Sequence, residues 1–318
     1  MGAIAVTGGA GFVGTNLVRA LLNLNYEVKV LDDFSTGLRS NLKNIDCQIV
    51  ELSLTDAEKV RTAVQDCDYI FHLGARGSVP RSIKNPRATI DVNVLGTLNI
   101  LESARETGAG IAFSSSSSVY GSNKFMPKNE KMWTSPLTPY AASKLSGEAL
   151  ITSYAQSFDI NAITYRFFNV FGPWQRPDHD YAAVLPKWIW KLMHNNKIEV
   201  YGDGNQSRDF TYVDTVISTL IEGMKKRMKH PNPINLAFGS RITLNQCIDE
   251  LRLKFPNLTV EFLPERAGDV KHSQNDPSLI KSLFPTIEPV SFSNAIEKTY
   301  QWFQDYGLII ANGPKVLD

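Results

Sequence analysis

The stretch that most constrains this chain is its start. Ala3-Ile4-Ala5-Val6 is a short apolar strand, and Thr7-Gly8-Gly9-Ala10-Gly11-Phe12-Val13-Gly14 follows it. A helical pattern then runs from Thr15 to about Leu24, and a second strand, Val28-Lys29-Val30-Leu31, ends in Asp32-Asp33. Strand, glycine-rich turn, helix and strand in that order predict a βαβ unit. The glycines fit both G-x-G-x-x-G (Gly9, Gly11, Gly14) and G-x-x-G-x-x-G (Gly8, Gly11, Gly14). A pyrophosphate must touch main-chain N–H groups at a helix N-terminus, where a Cβ would block it. Asp32 follows at the place where a carboxylate accepts from adenosine ribose hydroxyls and repels a 2′-phosphate. The unit therefore predicts a dinucleotide site for NAD rather than NADP. The rival reading, a glycine-rich turn with no ligand, leaves the coincidence of strand, glycines, helix and acid unexplained.

Further alternation follows. Gln48-Ile49-Val50, Tyr69-Ile70-Phe71-His72-Leu73 and Ile111-Ala112-Phe113 read as strands, while residues 55–65 and 89–107 read as helices. This pattern predicts an α/β fold with a Rossmann-type doubly wound parallel sheet. Gly8, Asp32, Gly74 and Ser116 then fall at carboxyl ends of strands, in one crevice. From about Asn169 the alternation becomes irregular, with helices expected over 181–195, 243–255 and 293–306. We expect a NAD-binding domain over 1–168 and a smaller α/β substrate-binding lobe over 169–318, the chain crossing between them more than once. In the 181–195 segment, Trp188 and Trp190 have the spacing of core residues rather than of a ligand platform.

Composition narrows the partners. Net charge is +1, with 43% apolar and 20% charged residues, which argues against a nucleic-acid binder. The basic run Lys225-Lys226-Arg227 reads as a solvated helix end. No apolar run reaches the ~18 residues of a membrane span. The three cysteines, Cys47, Cys67 and Cys247, and the five histidines show no metal-ligand spacing, so free thiols in a cytoplasmic protein without a metal are expected.

Ser114-Ser115-Ser116-Ser117-Ser118-Val119-Tyr120-Gly121 closes an apolar strand, and Tyr140-Ala141-Ala142-Ser143-Lys144 follows. Tyr140 and Lys144 are i and i+4 on a helix starting near Pro139 and share a face. A tyrosine with a pKa of ~10 is a poor base at neutral pH, and an adjacent ammonium should lower that value. Ser116, at the strand end, can hydrogen-bond the same substrate hydroxyl. This is equipment for moving a proton on and off an alcohol. Tyr-x-x-x-Lys alone occurs by chance on many helices; the glycine loop and serine run give it meaning. Ser114 and Ser115 read as strand-ending or backbone-satisfying residues.

With these motifs the chain resembles the extended short-chain dehydrogenase/reductase family, in its nucleotide-sugar epimerase/dehydratase branch. The likeness includes Asp91-Val92-Asn93-Val94-Leu95-Gly96-Thr97, Arg166-Phe167-Phe168-Asn169-Val170-Phe171-Gly172-Pro173, Ser207-Arg208-Asp209-Phe210-Thr211-Tyr212-Val213-Asp214 and Arg266-Ala267-Gly268-Asp269-Val270. The resemblance implies that Gly8, Gly11, Phe12, Val13 and Gly14 form the pyrophosphate loop and that Asp32, with Asp33, meets the ribose. It also puts Ser53, Leu54, Leu73, Gly74, Ala75, Asn93 and Ser114 on the cofactor side. Ser116, Tyr140 and Lys144 match the catalytic trio, the last two also touching the cofactor. Asn169, Val184, Leu185, Arg208, Arg266 and Asp269 match positions that hold the nucleotide half of a UDP-sugar, and Ser117 and Ser118 face the sugar. Arginine suits a diphosphate because its fork pairs two oxygens. Many relatives have Asp at Ser53, and often Lys or Gln near Arg76. Arg76 is either a substrate-side contact or a solvated loop charge.

The resemblance also bears on the reaction. Dehydratases of the branch carry Asp-Glu after the catalytic hydroxyl residue, and a decarboxylase carries Glu at the second of those positions. Here they are Ser117 and Ser118, which cannot act as carboxylates. A hydride cycle at C4 remains, which implies 4-epimerisation. Ser273, seven past Arg266, leaves room for an N-acetyl group where relatives can carry tyrosine. The stretch from Tyr181 to Pro186 is similar to N-acetylhexosamine-type epimerases. Pro173-Trp174-Gln175-Arg176-Pro177-Asp178 is similar to hexuronate epimerases, in which Arg176 would pair with a carboxylate; otherwise it makes a salt bridge to Asp178 or Asp180. UDP-N-acetylglucosamine and UDP-glucose rank ahead of UDP-glucuronate. A homodimer through the 89–107 and 140–158 helices is implied. The rival readings are a plain NAD(P)-dependent sugar dehydrogenase or reductase and a non-enzymatic NAD-binding regulator.

Overall fold

The computed structural model describes residues 2–178, 182–265 and 271–311, with side chains to residue 305. Seven parallel strands form the central sheet. They are β1 (Ala3–Thr7), β2 (Val28–Asp32), β3 (Gln48–Glu51), β4 (Cys67–His72), β5 (Gly110–Ser116), β6 (Ala162–Phe167) and a strand at Ile234–Leu236. Their spatial order is β3-β2-β1-β4-β5-β6 and then Ile234–Leu236. Direction reverses between β1 and β4, which opens a crevice at the carboxyl ends of those two strands. The seventh strand comes from well beyond residue 168 and pairs with β6 through Ile234↔Tyr165.

Both faces of the sheet are covered, so its inner strands are buried throughout. In β1, Ile4 and Val6 join one apolar cluster while Ala3 and Ala5 join another. The first cluster takes Leu17, Val18 and Leu21 of α1 (Phe12–Asn23) and Val213, Val216 and Leu220 of the helix Val213–Lys225. The second takes Val60 of α2 (Ala57–Val64), Ile100 and Leu101 of α5 (Gly96–Thr107) and Ile151 of α6 (Pro139–Phe158).

The segment 89–107, expected as a helix, is helical throughout: α4 (Pro86–Ile90) runs through a π-helical turn at Asp91–Leu95 into α5. A separate α3 (Val79–Lys84) comes before, and Pro86 starts α4 after the non-helical Asn85. The wide turn around Asn93 is the irregularity within 89–107. The serine run continues β5 as far as Ser116, and a 3-10 turn, Ser117–Tyr120, follows. Beyond β6, the helix Val184–Met193 and short parallel pairs, Asn169–Phe171 with Phe210–Tyr212 and Ile198–Tyr201 with Val260–Leu263, build the second region.

Candidate active site

The glycine loop is shaped by contacts within the chain. Gly8 has φ +68°, and a Cβ on Gly14 would lie 2.2 Å from the Gly8 carbonyl oxygen. A Cβ on Gly9 would meet the Val30 side chain. Those three glycines serve packing. Gly11 differs: its Cβ would meet only the Gly8 oxygen, at 3.2 Å, and it caps the start of α1. No side chain caps α1 and none in its first turn is acidic, which leaves backbone N–H groups and the positive dipole end toward the crevice. Phe12 and Val13 form that first turn, their side chains packing on the core.

Gly8, Gly11, Asp32, Asp33, Leu54, Leu73, Gly74, Ala75 and Arg76 line one crevice, together with Leu31, Ser35, Thr36, Leu52 and Val92. Asp32 accepts hydrogen bonds from the N–H of Ala10 (2.9 Å) and of Phe34 (2.8 Å), so it fixes the loop as well as facing the crevice. Burial pushes its carboxyl up and these two donors oppose that shift. A second negative group beside a desolvated carboxylate is disfavoured, which suits NAD. Asp33 binds Ser35 in a turn. Ser53 does not line the crevice: its hydroxyl bonds Thr55, 2.8 Å away, and the wall there is Leu52 and Leu54. Arg76 lines it, with its backbone N–H held by Asn93.

Asn93 is itself buried. Its side chain accepts from Arg76 N (2.7 Å) and donates to Ser143 Oγ (2.9 Å), and Ser143 donates to the Tyr140 carbonyl. It thus ties the loop after β4 to the first turn of α6. Beneath lies a network that the sequence reading missed. Thr97 donates to the Asn93 carbonyl (2.7 Å), so its oxygen accepts from His72 Nε2, 2.9 Å away. His72 Nδ1 then accepts from Thr7 Oγ1 (2.8 Å), whose oxygen takes the Gly74 N–H at 2.9 Å. Burial, with help from Lys144, pushes His72 down to about 3, so it stays neutral. The available signal was a histidine inside an otherwise apolar strand.

The trio stands at the ends of β5 and α6. Lys144 is buried, donates to the Ser114 carbonyl (2.7 Å) and is lowered to about 8 by desolvation, which Glu148 opposes. Ser114 Oγ donates to the His72 carbonyl. Ser116 caps the 3-10 turn through the Ser118 N–H. One expectation fails: the Tyr140 phenol is raised, not lowered. Burial dominates, with only the Ser116 hydroxyl pulling the other way, and the Lys144 ammonium is engaged by Ser114. Ser118 Oγ is buried without a hydrogen-bond partner.

A second crevice is lined by Asn169, Val184, Leu185, Trp188, Tyr201, Gln206 and Arg208. Trp188 serves the core and this wall together. Asn169 donates to the Asp209 carbonyl (3.3 Å), and Arg208 to the Ser207 carbonyl (3.0 Å). Asp209 is fully buried and raised to about 6 by desolvation, against N–H donors from Gly239, Ser240 and Asn275. Ser273 joins through its backbone, donating to the Ser207 carbonyl, and is not in the wall itself. Arg176 makes the salt bridge: Nε and Nη2 pair with the two Asp178 oxygens at 2.9 and 2.6 Å. Arg266, Asp269, Asp180 and Tyr181 lie outside the described residues.

With two crevices and a trio at the strand ends in place, comparison with known proteins decides the family. A model described as "NAD dependent epimerase/dehydratase family" matches residues 4–237. The chain belongs to this family. A putative UDP-glucose 4-epimerase of Methanocaldococcus jannaschii is 35% identical over 95% of this chain and 98% of its own. A solved UDP-N-acetylglucosamine 4-epimerase of Methanobrevibacter ruminantium, in complex with UDP-N-acetylmuramic acid, is 34% identical. It superimposes with a TM-score of 0.90 over 96% of this chain and 98% of its own. A UDP-glucuronic acid 4-epimerase of Bacillus cereus, solved with UDP-glucuronic acid and NAD, is 29% identical with a TM-score of 0.85, covering 95% and 99% of the two chains. NAD is the cofactor of the family, and the loop, Asp32 and Gly74 fit it. Among the described residues, no helix is long and apolar enough to cross a membrane.

Proposed function

We propose that this protein is an NAD-dependent 4-epimerase of a UDP-hexose, working through a transient 4-keto sugar with no net redox. The observation that carries the reading is the trio's setting. Ser116, Tyr140 and Lys144 stand at the strand ends with Ser117 and Ser118 beside them, where dehydration would require carboxylates. Glu148, the nearby buried carboxylate, is held by Arg166 and Ser115. In this reading Gly11 and the N–H groups at the start of α1 cradle the pyrophosphate, Gly8 and Gly14 give the loop its shape, and Asp32 receives the ribose. NAD, when bound, supplies the acceptor and then the donor of one hydride at C4.

Tyr140 takes the O4 proton and returns it after the keto sugar has turned over. Ser116 holds the same oxygen. Lys144, charged below about pH 8, orients the nicotinamide ribose from its anchor on the Ser114 carbonyl, and the Ser116 hydroxyl is the group that favours the phenolate. Asn169 and Arg208 hold the diphosphate, with Val184 and Leu185 against the nucleoside. We place Arg266, Asp269 and Ser273 on the substrate by family likeness.

UDP-N-acetylglucosamine and UDP-glucose come first as substrates, because the Arg176 fork is already filled by Asp178. UDP-glucuronate is the second reading, favoured by Arg176 Nη1, which is buried without a hydrogen-bond partner. We also propose a cytoplasmic homodimer through α5 and α6, and two lobes divided near residue 168 with the chain crossing between them.

The test is turnover without added cofactor. Purified protein is mixed separately with UDP-N-acetylglucosamine, UDP-glucose and UDP-glucuronate, and inversion at C4 is followed by proton NMR. A galacto product in one tube is expected. No inversion in any tube, with NAD supplied, overturns the reading in favour of a dehydrogenase or reductase.

A further inference from the structure

Four residues beyond Lys144, α6 carries a second buried charge. Glu148 pairs with Arg166 of β6 through two hydrogen bonds, at 2.8 and 2.7 Å, and both side chains are at most 5% exposed. Burying such a pair is costly, and apolar residues of similar volume commonly serve stability as well. Neither residue lines either crevice. Their neighbours indicate what the pair does.

Glu148 Oε1 accepts from Ser115 Oγ (2.6 Å), and Ser115 is the register partner of Arg166 in the sheet. Ser115 stands between Ser114, whose carbonyl takes Lys144, and Ser116. On the other side, Arg166 Nη1 donates to the Tyr120 hydroxyl (2.9 Å), and Tyr120 ends the 3-10 turn that Ser116 caps. Both ends of the segment carrying Ser116, Ser117 and Ser118 are therefore anchored on one ion pair. The anchoring extends further: Tyr120 donates to Asn235 Oδ1 (2.8 Å), Asn235 to Asn275 Oδ1 (2.8 Å), and the Asn275 N–H to Asp209 (2.8 Å), beside Arg208.

We infer that Glu148 and Arg166 are positioning residues for the trio: the pair pins the serine segment to α6, and with it the Ser114 carbonyl that holds Lys144. The groups around Lys144 are consistent with this. From β4 comes His72, which is neutral; from β5 come the Ser114 carbonyl and the Phe113 ring, 5.1 Å from Nζ. From β6 comes Arg166, of the same sign. Tyr140 and Glu148 lie on α6 itself, and Glu148 is the carboxylate that favours the ammonium. The inference rests on the epimerase reading for its catalytic consequence alone.

Two variants test it, in NAD-loaded protein. Glu148→Gln removes the counter-charge but leaves Arg166 unpaired, which can unfold the chain. Glu148→Gln with Arg166→Met removes both charges and restores an uncharged interior. The Lys144 titration is read by 13C NMR of labelled lysine, assigned with Lys144→Met. In folded Glu148→Gln the Lys144 midpoint should fall by about 1 pH unit, and by less in the double variant, which also removes the like charge of Arg166, the alkaline limb of kcat moving down with each. At pH 7 that shift alone lowers the charged fraction of Lys144 about twofold, so an expected fall in kcat of about tenfold, with KM changing less than about twofold, reports chiefly the displaced serine segment. A folded variant that keeps the wild-type midpoint and pH profile overturns the inference. If the wild type inverts no UDP-sugar, the epimerase reading has failed, and the Lys144 titration still decides the role of the pair.

Discussion

The two crevices are built from different materials. The crevice around Gly8 and Asp32, which we propose for the cofactor, is set by a glycine loop, strand ends and an uncapped helix start, all of its lining residues within the first ninety-two. The second crevice, which we propose for the sugar nucleotide, is made of side chains drawn from Phe168 to Leu244, set on short strands and one helix. A backbone site needs close approach, so small residues at fixed spacing betray it. A side-chain site needs only the right group at the right place, and any segment can deliver it. The Ser116–Tyr140–Lys144 trio lines neither crevice; in the proposed reading it acts between them, so the comparison can be tested from either side.

The largest effect is expected at the trio. Tyr140→Phe keeps the ring and removes the base, so kcat should fall about 10³-fold with little change in Tm. Stopped assays by NMR would measure it. A variant turning over at near wild-type rate would leave the trio without a proton acceptor and sink the mechanism.

Within the cofactor crevice, two glycines should separate folding from binding. Gly14→Ala puts a Cβ 2.2 Å from the Gly8 oxygen, which is backbone and cannot swing away. It should cost about 2–3 kcal/mol and lose NAD. Gly11→Ala meets only a 3.2 Å contact, so it should cost about 1 kcal/mol or less while weakening NAD about tenfold. Thermal melts with and without NAD give both quantities. Equal losses at the two positions would mean that the loop does not divide its glycines between packing and ligand.

The side-chain crevice predicts the reverse pattern. Arg208→Ala should raise KM for the UDP-sugar about 10- to 100-fold, the cost of a charge-assisted contact, and leave NAD affinity unchanged. Isothermal titration with UDP separates this from an effect on chemistry. An NAD defect in this variant would show that the two crevices are not independent.

The same contrast explains what was legible. The βαβ start, the doubly wound sheet, and the placement of Ser116 at the end of β5 and of Tyr140 and Lys144 near the start of α6 follow from local periodicity and spacing. β6 did not, because Arg166 interrupts its apolar pattern, and that arginine is acceptable only against Glu148, which lies on another element. The strand Ile234–Leu236 is three residues long, too short for a pattern to register. The π-turn at Asp91–Leu95 serves Asn93, whose partners Arg76 and Ser143 are distant in sequence. Tyr140 was misjudged for a related reason. Its spacing from Lys144 was visible, but the burial of both, and the capture of the ammonium by the Ser114 carbonyl, were not.

The smallest expected effect concerns the sugar itself. Ser273 follows His272, whose ring bonds Ser207 Oγ (2.9 Å), and its own N–H donates to the Ser207 carbonyl, next to Arg208. Its backbone is therefore fixed while its small side chain makes no hydrogen bond that would resist replacement. Ser273→Tyr adds bulk at a held position without removing a contact. If the pocket accepts an N-acetyl group on that side, kcat/KM should fall about tenfold for UDP-N-acetylglucosamine and about twofold or less for UDP-glucose, a steric discrimination of the order of 1 kcal/mol. Parallel initial rates on the two sugars give the ratio directly. Equal losses on both would remove Ser273 as the gate and leave the choice of sugar to Ser117, Ser118 and Arg176.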